Sequence, residues 1–243
     1  MLKCSHIVCR VNNIADTVRD YELLGFSMEW GSISAKAHNA LLWFEQGPHI
    51  EFCQMPKRFS YFAFPFGLIY GKAAGRRLRH WAGPGEGWRD LALEIQREFD
   101  SEPLSAENNH QELQLIKEAV NKLGISTSRI IRGKRVRPDG VTVQFSLFAP
   151  DDVGLPFVTT PILPRPQPKI THPNGATGIE WVRIGVTEEL SHHLAKLIPQ
   201  DQWLKAEPAE QNGVIEVRLS GLNEHLAINL LHGAVFSSTH DEK

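Results

Sequence analysis

Polar and apolar residues alternate from the start of the chain. In Ser5-His6-Ile7-Val8-Cys9-Arg10-Val11 the alternation is that of a strand. Side chains on a strand point to opposite faces in turn, so His6, Val8 and Arg10 share one face, and Ile7, Cys9 and Val11 the other. Asn12-Asn13 then leads into Ile14–Leu24, where Ile14, Val18 and Tyr21 recur three or four apart, as an amphipathic helix requires; Gly25 stops it. Phe26–Trp30, Asn39–Glu45 and His49–Cys53 are short aromatic and aliphatic runs separated by turn residues, which predicts three strands. In the last of them His49 and Glu51 share a face. The order is β-α-β-β-β within residues 1–54.

The order returns at 88–160. Trp88–Gln96 alternates like a strand, Leu113–Leu123 carries a helical stripe stopped by Gly124, and Ser128–Val136 and Val141–Phe148 flank Arg137-Pro138-Asp139-Gly140. In that turn proline presets φ and glycine accepts positive φ. Leu155–Thr160 is a short last strand. A Pro-rich linker over 161–176 precedes a third β-α-β-β-β-like round at 177–232, in which Ile179–Val186 is a strand and Glu188–Ile198 a helix. There Val214–Leu219 and Leu226–Leu231 form a hairpin around Gly221-Leu222-Asn223. Between the first two rounds, 55–87 is long, aromatic and without clear periodicity, so it reads as a loop insertion: a lid bordering a cavity, or an aromatic packing plug. The fold class is α+β: repeated βαβββ units, two of them paired. An unpaired third unit is expected to cap the pair or to mediate a homodimer.

Composition changes this little. The chain has 243 residues with a formal net charge of −2, which gives no pull toward nucleic acid or an anionic membrane. The basic runs at 75–79 and 132–137 read as solvated loop and edge-strand charges. Three cysteines, Cys4, Cys9 and Cys53, are too few for a disulfide framework, and Cys4 and Cys9 are expected on opposite faces of one strand. With no apolar run of membrane-spanning length and no room for a signal peptide, a reducing cytoplasm is the default.

His6 and Glu51, each on the polar face of a half-buried strand, are the raw material of a metal site or an acid/base site. The bland alternatives are a histidine satisfied by hydrogen bonds inside a cavity, and a Glu51 paired with Arg10. His38, His49 and His172 are spare imidazoles that nothing in the sequence locates. His192-His193 lies on a helix, where adjacent residues diverge. No phosphate loop, nucleophile elbow or HExxH motif is present.

The repeated unit, with His on its first strand and Glu on its last, resembles the vicinal oxygen chelate superfamily and, within it, the glyoxalase-like domain group. The resemblance rests on His6-Ile7-Val8, Asn39-Ala40-Leu41 ahead of His49-Ile50-Glu51, Gly87-Trp88, Arg137-Pro138-Asp139-Gly140, Leu155-Pro156-Phe157 and His172-Pro173-Asn174-Gly175. It implies a cup formed by two paired half-barrels. It also implies a small-molecule ligand and a divalent metal (zinc, manganese, iron or nickel) held by His6, Glu51 and, from the second unit, Asp90. The second unit's last-strand position falls at Thr159 or Val158, neither a good ligand, and Asp90 has an ion pair as its alternative. His6 and Glu51 are the implied catalytic residues; Arg10, Trp88 and His172 are candidate substrate contacts. The function implied is an enzyme of lyase, isomerase or dioxygenase type acting on a small oxygenated metabolite. The rival is a metal-free binding protein using the same cup. An apolar second half of the cup favours the rival.

Overall fold

The computed structural model describes residues 2–45, 47–56, 58–95, 105–164 and 170–238. Strand β1 (Leu2–Arg10) runs into helix α1 (Ile14–Leu23), started by Asn13, whose side chain accepts the amides of Ala15 and Asp16. The helix ends at Gly25, which takes φ 78° and lets Asn174 approach where a β-carbon would stand 2.9 Å from it. Strands β2 (Glu29–Trp30), β3 (Asn39–Leu42) and β4 (His49–Cys53) complete the first unit. Helices α2 (Phe59–Tyr70) and α3 (Lys72–Trp81) follow. The second unit is β5 (Gly87–Ile95), α4 (Ala106–Lys122), β6 (Ile131–Val136), β7 (Thr142–Phe148) and β8 (Phe157–Thr159). Gln96, at the end of the expected strand, and 165–169 of the linker lie outside the described residues.

The two units form one curled eight-stranded sheet in the order β2-β3-β4-β1-β5-β8-β7-β6. Each unit pairs its first strand parallel to its last, β1 with β4 and β5 with β8, and the units join along the antiparallel seam between β1 and β5. This is the paired half-barrel of the α+β reading.

The third segment repeats the order along the chain but not the pairing. It consists of β9 (Gly178–Val186), α5 (Glu188–Leu197), β10 (Leu204–Pro208), β11 (Gly213–Ser220) and β12 (Phe236–Ser238), in a separate sheet ordered β10-β9-β11-β12. The hairpin expected over 214–231 is absent: Leu226–Leu231 forms no strand, and β12 pairs parallel to β11. Nor, Trp203 apart, does this segment cap the cup. Val182, Ile184, Val217 and Leu219 share a core with Ile7, Cys9, Leu91 and Leu93, so it packs on the back of the large sheet beside α1.

The stretch 55–87 is not a loop. Helix α2 is apolar on nearly every side, with Tyr61, Phe64 and Leu68 exposed, so it shows no stripe. In α3 the buried set Ala73, Ala74, Arg77 and Leu78 is helically spaced, but an arginine within it hides the pattern. The helices approach closely at Gly75, where a β-carbon would stand 2.6 Å from the Ala63 carbonyl oxygen.

Candidate functional site

Two β-bulges decide which side chains enter the cup. On β1, Cys4 stands opposite Leu93 and His6 opposite Ala92, so Ser5 is an extra residue and points, like His6, toward the concave face. The same shift sends Cys4 to the back core beside Cys9, against the expectation that they face opposite ways; both are free thiols. On β5 the extra residue is Arg89, between the Val8–Asp90 and Cys9–Trp88 pairs. Arg89 therefore lines the cup, whereas Trp88 turns to the back and packs edge-on against Phe236 at 5.3 Å. That placement corrects Trp88 as a substrate contact: strict period-two parity fails across a bulge.

The cup encloses a cavity of about 360 Å³. His6 and Glu51 converge in it, with His6 Nε2 3.5 Å from Glu51 Oε2, because β1 and β4 are neighbours and Glu51 stands beside Val8. Asn39 donates to the other Glu51 oxygen at 2.6 Å. On its far side the His6 ring meets Ser5 Oγ at 3.2 Å through Nδ1, and Ser5 Oγ donates to Glu94 Oε2 at 3.2 Å. The hydroxyl has one proton and gives it to the carboxylate, so His6 Nδ1–H is the donor to Ser5. This assigns the tautomer and leaves Nε2 as a lone pair facing the cavity. Glu94 is also paired with Lys3 at 3.3 Å.

Burial lowers the His6 pKa below its ordinary 6.5, against the opposing pull of Glu51, Glu94 and Asp90. His49, one of the spare imidazoles, stands opposite His6 and stacks on it at 4.8 Å, with the Trp43 ring 4.0 Å from it. Burial, then His6 and Arg135, push its pKa well down. One part of the wall is apolar: Val8, Ala92, Leu147 and Phe157 cluster there, with Trp81 and Phe145 against them.

Asp90 does not join His6 and Glu51 as a donor. Arg77 Nη1 donates to its two oxygens at 2.9 and 3.0 Å, and Trp81 Nε1 donates to one of them. Arg77 is buried, and its Nη groups also donate to the carbonyls of Asp152, Val153 and Leu155, while its Nε has no partner among the described residues. The ion pair foreseen as the alternative for Asp90 is present, with an arginine from α3. Thr159 donates its hydroxyl to Ser146 O or Thr160 O, both at 3.2 Å. His172 lies outside the cavity, which corrects its reading as a substrate contact. Its Nδ1 accepts the Ser27 amide at 3.0 Å and its Nε2 donates to the Trp43 carbonyl at 2.8 Å, so it ties the linker to the first unit. Arg10 does line the cup, but Glu51 is not its partner; its Nη1 donates to Asn12 Oδ1 and Gly85 O, each at 2.6 Å.

A resident divalent metal does not fit this donor set. First-row metals take three or four N, O or S ligands from a protein. Here two converge, the expected third is locked to Arg77, and among the described residues no group of three His, Cys, Asp or Glu side chains is poised around one point.

The family model described as "Glyoxalase-like domain" matches residues 4–198. The chain belongs to the glyoxalase-like domain family. No curated protein matches it significantly. Among solved structures, a hypothetical protein from Staphylococcus aureus is similar over 98% of this chain and all of its own, at 12% identity and a TM-score of 0.61, a likeness of fold. Two homoprotocatechuate 2,3-dioxygenases align more loosely. The H200Q variant from B. fuscum does so at 10% identity and a TM-score of 0.45, and the Arthrobacter globiformis protein at 9% and 0.46. Both cover 93% of this chain, which spans 59% and 66% of theirs.

Sequence parity could have found Glu94, on the face of Ala92, and His49, on that of Glu51. Arg135 was legible too: β6 alternates half-buried Gly133 and Arg135 with exposed Arg132 and Lys134, and Arg135 lines the cavity rather than being solvated. Ser5 and Arg89 required the bulges.

Proposed function

We propose that this glyoxalase-like protein is an enzyme of proton-transfer type, an isomerase or lyase, acting on a small oxygenated metabolite in the cup. His6 is the general base and Glu51 its charge partner. The observation that carries this reading is a buried imidazole whose Nδ1 lies 3.2 Å from Ser5 Oγ while its Nε2 faces both the Glu51 carboxylate, at 3.5 Å, and an open cavity. A base of this kind removes a proton from carbon next to a carbonyl group. The imidazolium so formed is stabilised by Glu51, while the substrate's electron pair moves onto its oxygen as an enolate. Return of the proton to a different carbon gives an isomer; loss of a leaving group from the enolate gives elimination. Because the donors do not fit a metal, no step is assigned to one.

The test is solvent hydrogen exchange. Small hydroxyketones, aldehydes and oxo acids are incubated with the protein in D2O, and loss of C–H signals is followed by NMR. Exchange is expected with some member of the panel, slowed about 10²–10⁴-fold by His6→Gln and unaffected by chelator. Exchange that persists in His6→Gln sinks the assignment. The second reading, a metal-free binding protein, is favoured by the apolar patch that the second unit contributes to the cup, Leu147 and Phe157 above all. Tight binding of panel members with no exchange supports it instead.

A further inference from the structure

The cavity's charges are unevenly matched. Its carboxylates have donors: Glu51 has Asn39, and Glu94 has Lys3 and Ser5. Among the described residues Arg10 and Arg89 have only neutral partners. Arg10 is 5% exposed and its Nε is buried with no hydrogen-bond partner. Arg89 is in the same condition at Nε, and its Nη2 reaches the carbonyl oxygens of Pro84 and Gly85 at 2.8 and 3.1 Å. Both guanidinium groups thus share the neutral Gly85 carbonyl, and among the described residues neither is ion-paired with a carboxylate. Burial and then the neighbouring Arg10 charge lower the Arg89 pKa. Arg135, the third arginine on the cavity, also has a buried Nε without a partner. The contrast lies in the counter-charge: buried Arg77, whose Nε likewise has no partner, is ion-paired with Asp90. An uncompensated buried charge is costly unless something else neutralises it.

We infer that the cup takes substrates carrying an anionic oxygen group, a carboxylate or phosphate, which seats between Arg10 and Arg89. Guanidinium forks bind either group through paired N–H donors. The inference rests on the cup as the small-molecule site, not on proton transfer within it. Along β1, Arg10 lies four residues from His6, about 13 Å of strand, and two from Val8, beside which Glu51 stands. The substrate class is therefore a molecule with its anionic group at one end, its oxygenated carbon near His6 and Glu51, and an apolar stretch of a few carbons along Val8, Leu147 and Phe157.

Matched probes test this by calorimetry at low salt: 4-phenylbutyrate, 3-phenylpropylphosphonate and the uncharged 4-phenylbutyramide. The acid or the phosphonate is expected to bind at least tenfold more tightly than the amide and to weaken as salt is raised; the tighter of the two identifies the group. Arg89→Gln should remove most of that preference while leaving the amide unchanged, and Arg10→Gln should do the same where it folds. Equal binding of acid, phosphonate and amide, absence of binding by either anion, or an unchanged preference in Arg89→Gln overturns the inference. Anion binding without hydrogen exchange topples the proton-transfer reading alone, so the two failures are distinguishable.

Discussion

At the scale of single residues, the neutral imidazoles set both the chemistry and the acid tolerance of the cup. His6 and His49 are buried, and each is held below the ordinary histidine pKa of 6.5, chiefly by desolvation. In the unfolded chain both take up protons as pH falls through 6.5; in the folded chain they do so only at lower pH. Stability is therefore fully present above pH 6.5 and declines below it, by about 1.4 kcal/mol per pH unit for each histidine until its folded pKa is reached. Urea unfolding at pH 7.5 and 5.5 should show this loss, and His49→Gln should remove part of it. A midpoint that does not move between the two pH values contradicts it. The same state predicts that hydrogen exchange catalysed by His6 stays flat through neutral pH and falls only on an acid limb below 6.5. His6 and Glu51 were legible as a pair because the alternation runs unbroken from His6 to Arg10 and from His49 to Glu51, on strands that adjoin. Ser5, Arg89 and the true side of Trp88 were not, because a bulge adds one residue to one strand and inverts the parity beyond it, with no signature in composition.

At the scale of elements, α3 turns an open half-barrel into a bounded cavity. Trp81 projects from its last turn onto Phe157 at 5.4 Å, and Arg77 anchors it to Asp90 on β5 and to the backbone of residues 152–155. Asp90→Ala leaves Arg77 buried without its counter-charge and should cost about 3–5 kcal/mol in urea unfolding. The double replacement Arg77→Met, Asp90→Leu should recover only part of that, since it removes the stranded charge but leaves the carbonyls of Asp152, Val153 and Leu155 and Trp81 Nε1 without these partners. An unaltered midpoint in Asp90→Ala would remove the pair from the account of the fold. The strands and helices of the first two units were readable from period-two and helical patterns ended by Gly25 and Gly124. Helices α2 and α3 were not: one is apolar all round, and the other buries an arginine where an apolar residue is expected.

At the scale of the whole molecule, the question is why two units need a third segment. Period and order suggested another half-barrel, but sheet order is a property of pairing across the chain, and nothing local specifies that β9 lies between β10 and β11. Its position supplies the reason. The back of the β1–β5 seam carries Ile7, Cys9, Leu91, Leu93 and Trp88, which α1 and α4 leave to be covered by β11 and β12. Polar contacts fix the join: Asp201 accepts the Cys4 amide at 2.6 Å, Tyr21 donates to the Leu231 carbonyl at 3.2 Å, and His232 reaches Asp20 at 3.0 Å. A β-carbon at Gly87 would stand 2.7 Å from the Gly233 carbonyl oxygen, so the two backbones meet without room for a side chain. Trp203, on the approach to β10, also lines the cup beside Gly47. A chain ending at residue 176 should therefore bare a contiguous apolar surface and fail to unfold cooperatively, collapsing or aggregating instead. The intact chain should unfold in a single transition seen alike by tryptophan fluorescence and circular dichroism. A truncated chain with a cooperative transition at the same midpoint would show that the paired units are self-sufficient and the third segment an accessory.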